Sequence, residues 1–160
     1  MRVVCDTSPL ILLAKIDRLE LLFRLYDQMT IPVSVLDEIR AKPTAETTVI
    51  NALIENQRLE IQRGAQEVLE GVPADLGDGE REAIALAIET EVDMIVLDDQ
   101  QRRTVARVRN LAVTGTIGVL IEAKGRDMIP SVRRELDLLI EAGMWIDEAF
   151  YHRILQDFDE

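Results

Sequence analysis

The chain has 160 residues, and 18 Lys and Arg against 30 Asp and Glu leave a formal net charge of −12. That balance excludes a protein that coats nucleic acid with a broad basic surface. A hydrophobic fraction of 48% beside 30% charged residues marks a globular chain, of a length that fits one domain, 1–160.

The first predicted element is a buried strand over Met1–Asp6, β-branched at Val3 and Val4 and closed by a Thr-Ser-Pro turn. It holds the single cysteine, Cys5, which has no intramolecular partner and points to a buried thiol in a reducing compartment. Asp6 interrupts what would otherwise resemble the apolar part of a signal peptide, and Leu10–Ala14 is too short to span a bilayer. The expected setting is the cytoplasm, with no membrane partner. Ser8 before Pro9 reads as an N-cap with proline at the first helical position, opening a helix to about Tyr26.

A short strand follows near Met29–Ile31, then a helix whose Ser34-Val-Leu-Asp37 spacing resembles a capping box, with Glu38 beside it. Ala45–Gln57 reads as a helix and Arg58–Gln62 as a strand. The stretch Gly64–Gly79, rich in Gly, Pro and acids, is the most loop-like. Ala83, Ile84, Ala87 and Ile88 then recur at helical spacing, and the apolar run Met94–Leu97 ends in Asp98-Asp99. Beyond it come a basic helix over Arg102–Asn110, a strand over Leu111–Thr114, and a helix from Gly115 to Lys124. Two C-terminal helices occupy about 130–158, the second over Asp147–Asp157. Strands alternating with helices predict an α/β/α sandwich around a central, mostly parallel sheet.

Two of the most strand-like runs end in acid, at Asp6 and at Asp98-Asp99. In an open parallel sheet, residues just past the carboxyl ends of strands share one edge, where ligands bind. Glu38 and Glu82 fall early in helices at the same edge. A cluster of carboxylates persists as anions only around a cation, and oxygen donors suit Mg²⁺ or Mn²⁺. Such ions activate water and neutralise charge developing on a phosphodiester. An Asp after a strand also commonly starts a turn or caps a helix, so each acid alone has a structural reading too.

The segments Val4-Cys5-Asp6-Thr7-Ser8-Pro9-Leu10, Pro32–Glu38, Leu76–Ala87, Val96–Asp99 and Val113–Leu120, in that order, resemble the PIN domain and within it the VapC-like toxins and related predicted ribonucleases. The resemblance covers about the first 125 residues. It implies a PIN-like α/β/α fold and Mg²⁺- or Mn²⁺-dependent endoribonuclease activity, with the toxin of a toxin–antitoxin pair as one setting. On the matching positions, Asp6 stands for the first family acid, Glu38 for the second, Glu82 for the third and Asp98 or Asp99 for the fourth. All five are expected to be catalytic, and Asp6, Glu82, Asp98 and Asp99 to ligate metal. Glu80, two residues from Glu82, leaves the third position open, and Asp98-Asp99-Gln100 replaces the family's usual pattern after that strand.

Arg102, Arg103 and Arg107, with Arg109 behind them, form the densest basic segment and are the expected RNA-binding residues. No aromatic platform for stacking bases is apparent. Residues 144–158 hold four of the six aromatics, including Trp145, and His152 lies among them. This segment is read as a cover for the core, with a second copy of the chain or a small antitoxin as alternative occupants. Homodimerisation and antitoxin binding are what the family resemblance implies. Two other readings stay open: a PIN-like module that binds RNA or protein without cutting, and an aspartyl-phosphate phosphoryl-transfer domain with Lys124 as a loose match to a receiver lysine.

Overall fold

The structure is a computed structural model describing residues 1–160. Five strands, β1 (Arg2–Cys5), β2 (Gln28–Pro32), β3 (Leu59–Gln62), β4 (Met94–Val96) and β5 (Val113–Thr114), form one sheet in the order β3-β2-β1-β4-β5. Every pairing is parallel, with Val4 opposite Thr30 on one side and Ile95 on the other. Parallel neighbours need crossover segments, and seven helices supply them: α1 (Thr7–Lys15), α2 (Glu20–Leu25), α3 (Val33–Ala41), α4 (Ala45–Glu55), α5 (Gln66–Glu70), α6 (Asp78–Glu89) and α7 (Gln100–Val108); α8 (Thr116–Gly125), α9 (Val132–Glu141) and α10 (Glu148–Asp157) follow the last strand.

Side chains of successive strand residues point to opposite faces, and this divides the core into two layers. Val3 and Cys5 pack with α1–α4 and α8–α10, whereas Val4, Ile95 and Leu97 pack with α5, α6 and α7. The expected α/β/α sandwich is therefore present, with an all-parallel sheet.

The single helix expected from Ser8 to Tyr26 is two helices. Helix α1 begins at Thr7, with Asp6 at the N-cap position, so Ser8 and Pro9 lie inside its first turn. Pro9 is tolerated there because the first N–H groups of a helix have no intrahelical acceptor. The break after α1 is a Schellman turn: Asp17 takes φ 57°, and the Arg18 N–H donates to the Leu13 carbonyl at 2.8 Å. The Arg18 guanidinium then pairs with the fully buried Glu135 of α9 at 2.7 Å, fixing the redirected chain.

The same termination recurs at Gln57, Glu91, Asn110, Asp127, Gly143 and Asp159, each with positive φ. Only one of these seven residues is glycine, so six helix ends carry a left-handed side chain. Replacing exposed Gln57 or Glu91 with Gly is expected to stabilise the protein by about 0.5–1 kcal/mol, because relief of the left-handed penalty exceeds the added unfolded-state entropy. A denaturant midpoint that rises at constant m-value is the confirming result; an unchanged or lower midpoint contradicts it.

Two further differences are local. Gln66–Glu70 forms a five-residue helix within the stretch read as loop. Ser34 is not an N-cap: Pro32 holds that position, and no side chain of α3 caps its own helix.

Candidate active site at the sheet edge

In the order β3-β2-β1-β4-β5 the chain reverses its winding between β1 and β4, and the crevice past the carboxyl ends of those two strands is where such sheets bind ligands. Asp6 follows β1 and Asp98 follows β4, so the topology itself brings these two acids to the crevice. The ladder runs on past β1, since the Asp6 N–H donates to the Val96 carbonyl at 3.1 Å. Helices α1, α3, α6, α7 and α8 all begin at this edge, and the positive ends of their dipoles face the acids.

Asp6 is the most constrained of them. It is 4% exposed, and its Oδ1 is buried without a hydrogen-bond partner. Burial pushes its pKa up to about 7; the Thr7 N–H works against this, the Glu80 and Glu38 carboxylates add to it, and the Arg102 guanidinium eases it. The other acids each have a fixed donor. Glu38 Oε2 accepts the Thr7 hydroxyl at 2.6 Å. Asp98 Oδ1 accepts the Thr116 N–H at 2.7 Å, while its Oδ2 accepts the Thr116 hydroxyl at 2.7 Å and the Ser8 hydroxyl at 3.1 Å. Asp99 is the N-cap of α7, receiving the Arg102 N–H at 3.1 Å, the structural role that an acid after a strand often takes.

Two glycines admit the carboxylates to this space. A Cβ on Gly79 would stand 2.9 Å from Glu38 Oε2 and 3.7 Å from Asp6 Oδ1; one on Gly115 would stand 2.9 Å from Asp98 Oδ1 and 3.0 Å from the Leu97 carbonyl. At Gly115 a side chain would crowd the fixed Leu97 carbonyl as well as Asp98, and at Gly79 it would push the Glu38 carboxylate aside, so both glycines leave room for the acids where they stand.

Glu80, not Glu82, lines the crevice. A cleft of about 600 Å³ is walled by Asp6, Glu38, Glu80, Asp98, Asp99 and Arg102 among others, and Glu38, Glu80 and Arg102 continue into an adjoining cleft of about 580 Å³. Arg102 Nη1 lies 3.2 Å from Glu80 Oε1 and 3.8 Å from Asp99 Oδ2, which ties the start of α6 to the start of α7. Glu82 is buried, and its Oε1 accepts the Ser34 N–H at 2.9 Å, satisfying the open N-terminus of α3 from another helix. The sequence signal for Glu80 was the run Gly77-Asp78-Gly79-Glu80, where Gly79 opens the space beside the acids.

The arginines separate by face. Arg102 enters the acidic cleft, whereas Arg103 lines a different groove beside Gly115. Arg107 is exposed, and Arg109 is spent on the Gly71 carbonyl at 2.8 Å. His152 lies on the surface, 3.7 Å from Glu148, and Lys124 Nζ donates to the Pro130 carbonyl at 2.7 Å.

No three of the acids stand at ligating distance around one point. The donor set nevertheless fits a hard divalent cation: every contributor is a carboxylate oxygen, and Asp6 Oδ1 is a buried acceptor with nothing to accept from. With one cysteine, buried within β1, and one surface histidine, the chain lacks the softer ligands of a zinc centre.

A doubly wound parallel sheet with carboxylates gathered at its switch point defines an α/β protein with an acidic ligand crevice. The chain belongs to the PIN-domain family: a family model described as PIN domain matches residues 2–160, running past the motif-bearing segments through the C-terminal helices. PIN domains are generally nucleases acting on nucleic acid, and they typically bind divalent metals. A search of curated proteins found no match to this chain. No helix is long and apolar enough to cross a membrane.

Proposed function

We propose that the protein is a divalent-cation-dependent endoribonuclease whose working carboxylates are Asp6, Glu38, Glu80 and Asp98. The observation that carries this reading is the buried, unpartnered Oδ1 of Asp6 at the β1/β4 switch point, where Asp6 lines a cleft together with the other three. Glu82 is assigned to the N-terminus of α3 rather than to the ion, and Asp99 to the cap of α7. Mg²⁺ or Mn²⁺ held by these oxygens would supply Lewis acidity to the phosphodiester and lower the pKa of water.

The chain's own residues supply position and charge. Thr7 orients Glu38, while Ser8 of α1 and the N-terminus of α8 hold Asp98 between those two helices. Arg102, already between Glu80 and Asp99, offers the cleft a cation for a non-bridging phosphate oxygen. With water as nucleophile, cleavage breaks one P–O bond by in-line attack and leaves no 2′,3′-cyclic phosphate. The family setting adds a small antitoxin and a second copy of the chain as partners, and the cytoplasm as the place of action.

The test is incubation of purified protein with end-labelled single-stranded RNA in Mn²⁺, Mg²⁺ or chelator. Internal cleavage with either ion, none in chelator, and products free of cyclic phosphate are expected. Cation-independent cutting or cyclic-phosphate ends would reject the mechanism. Saturable RNA binding without cleavage in any ion would support the non-cutting module instead.

A further inference from the structure

Next to the acidic cleft lies a groove of about 470 Å³ that runs from Asp98 and Arg103 to Trp145 and Phe150, floored by Ile117 and Ile121 of α8. Met144 lines both this groove and the acidic cleft, so the two are one continuous surface. Trp145 is 82% exposed, although the chain's other five aromatics are at least partly covered. An indole held at a groove mouth by the turn between α9 and α10 keeps a large flat apolar face in water, an arrangement that favours a planar ligand.

The charge at the groove is also uncommitted. Arg103 forms no ion pair and no hydrogen bond, its Nε is buried without a partner, and burial with the nearby Arg107 charge lowers its pKa, while Asp98 raises it. Arg107, exposed one turn along α7 and outside the groove's lining, is likewise unpaired. By contrast Arg102 is engaged by two acids and Arg109 by carbonyls. The acids at the groove, Asp98 and Asp147, already accept backbone N–H groups. A cation awaiting an anion beside an exposed aromatic face, contiguous with the proposed cutting site, matches one nucleotide of a single strand: a base to stack and a phosphate to pair.

We propose that this groove is a nucleotide subsite flanking the scissile bond, in which a base stacks on Trp145 and its phosphate pairs with Arg103 and Arg107. The inference rests on the ribonuclease reading for its substrate, but its test uses binding alone. Trp145 is the chain's sole tryptophan, so intrinsic tryptophan fluorescence reports directly on the subsite.

Short single-stranded RNA, titrated in chelator so that nothing is cut, should quench this fluorescence saturably. Anisotropy of labelled RNA should show roughly 5- to 100-fold weaker binding by Trp145→Ala and a smaller loss by Trp145→Phe, which keeps an aromatic face. Arg107→Gln, on the exposed face, should lower the slope of log K against log salt by about 0.7, as should Arg103→Gln if it folds. A deoxyoligonucleotide arm shows whether the sugar matters. Absence of quenching with unchanged Trp145→Ala affinity would overturn the subsite even if the protein cuts RNA. A fluorescence change that follows protein concentration alone, with a dimer lost in Trp145→Ala, would overturn it in favour of a second copy. Saturable quenching without any cleavage in Mn²⁺ would uphold the subsite and reject the ribonuclease.

Discussion

Asp6→Asn is expected to abolish cation-dependent RNA cleavage and at the same time make the protein more stable. The two effects have one cause. Asp6 is held at 4% exposure with Oδ1 unpartnered, beside Glu38 and Glu80, and its pKa is raised to about 7. An ionised carboxylate there is costly unless a cation neutralises it. Changes to groups merely supporting a metal ligand already cost about 10–100-fold, so loss of the central oxygen should cost on the order of 10³-fold.

The pH dependence follows from the direction of that shift. The unfolded chain releases the Asp6 proton near pH 4, whereas the folded chain keeps it to about 7. Between those values the native state binds more protons, so stability falls as pH rises, and above 7 the whole penalty is present. A three-unit shift corresponds to an upper bound on the order of 4 kcal/mol. Asn is neutral throughout, so in chelator at pH 8 the variant should melt higher, by at most roughly 10 °C, and at pH 4 the two melting points should converge. Mn²⁺ should raise the melting point of the parent protein by mass action and leave that of the variant unmoved. Equal melting points at pH 8 in chelator, or an equal response to Mn²⁺, would remove Asp6 from the centre of the site.

The parts legible in the sequence were those set by local pattern. Short apolar runs ending in Asp gave β1 and β4, and the strand–helix alternation gave the parallel sheet that places Asp6 beside Asp98. What escaped was decided by groups far apart in the chain. Ser34 looked like a cap because its own helix offers Asp37 three residues on, yet the carboxylate that serves the α3 N-terminus comes 48 residues later, from Glu82. The break between α1 and α2 has no glycine to announce it, since Asp17 adopts the left-handed turn and the α9 carboxylate of Glu135 secures Arg18 beyond it. Trp145 sat in an aromatic segment suited to covering the core. Phe150, Tyr151 and Phe158 pack against that core, but which aromatic stays in water depends on how the α9–α10 turn lies across the sheet edge.

Exchange of Glu80 and Glu82, one at a time, separates chemistry from architecture within a single helical turn. Glu80 is 14% exposed in the cleft wall, and its fixed partner is Arg102 on a neighbouring helix. Glu80→Gln keeps the size and loses the anion, so RNA cleavage should drop at least tenfold while stability changes by less than about 1 kcal/mol, the range of a partly exposed ion pair. Glu82 faces the other way, buried against the α3 N-terminus and Gly64. Glu82→Ala removes the acceptor of the Ser34 N–H and empties a packed position, which should cost about 2–3 kcal/mol. Glu82→Gln retains an oxygen acceptor and should recover much of that stability, and with it cleavage. Denaturation curves and RNA cleavage on the three variants decide the matter. If Glu82→Gln folds as the parent does yet fails to cut, while Glu80→Gln cuts normally, the third carboxylate of the site is Glu82 and the cleft must rearrange to admit it.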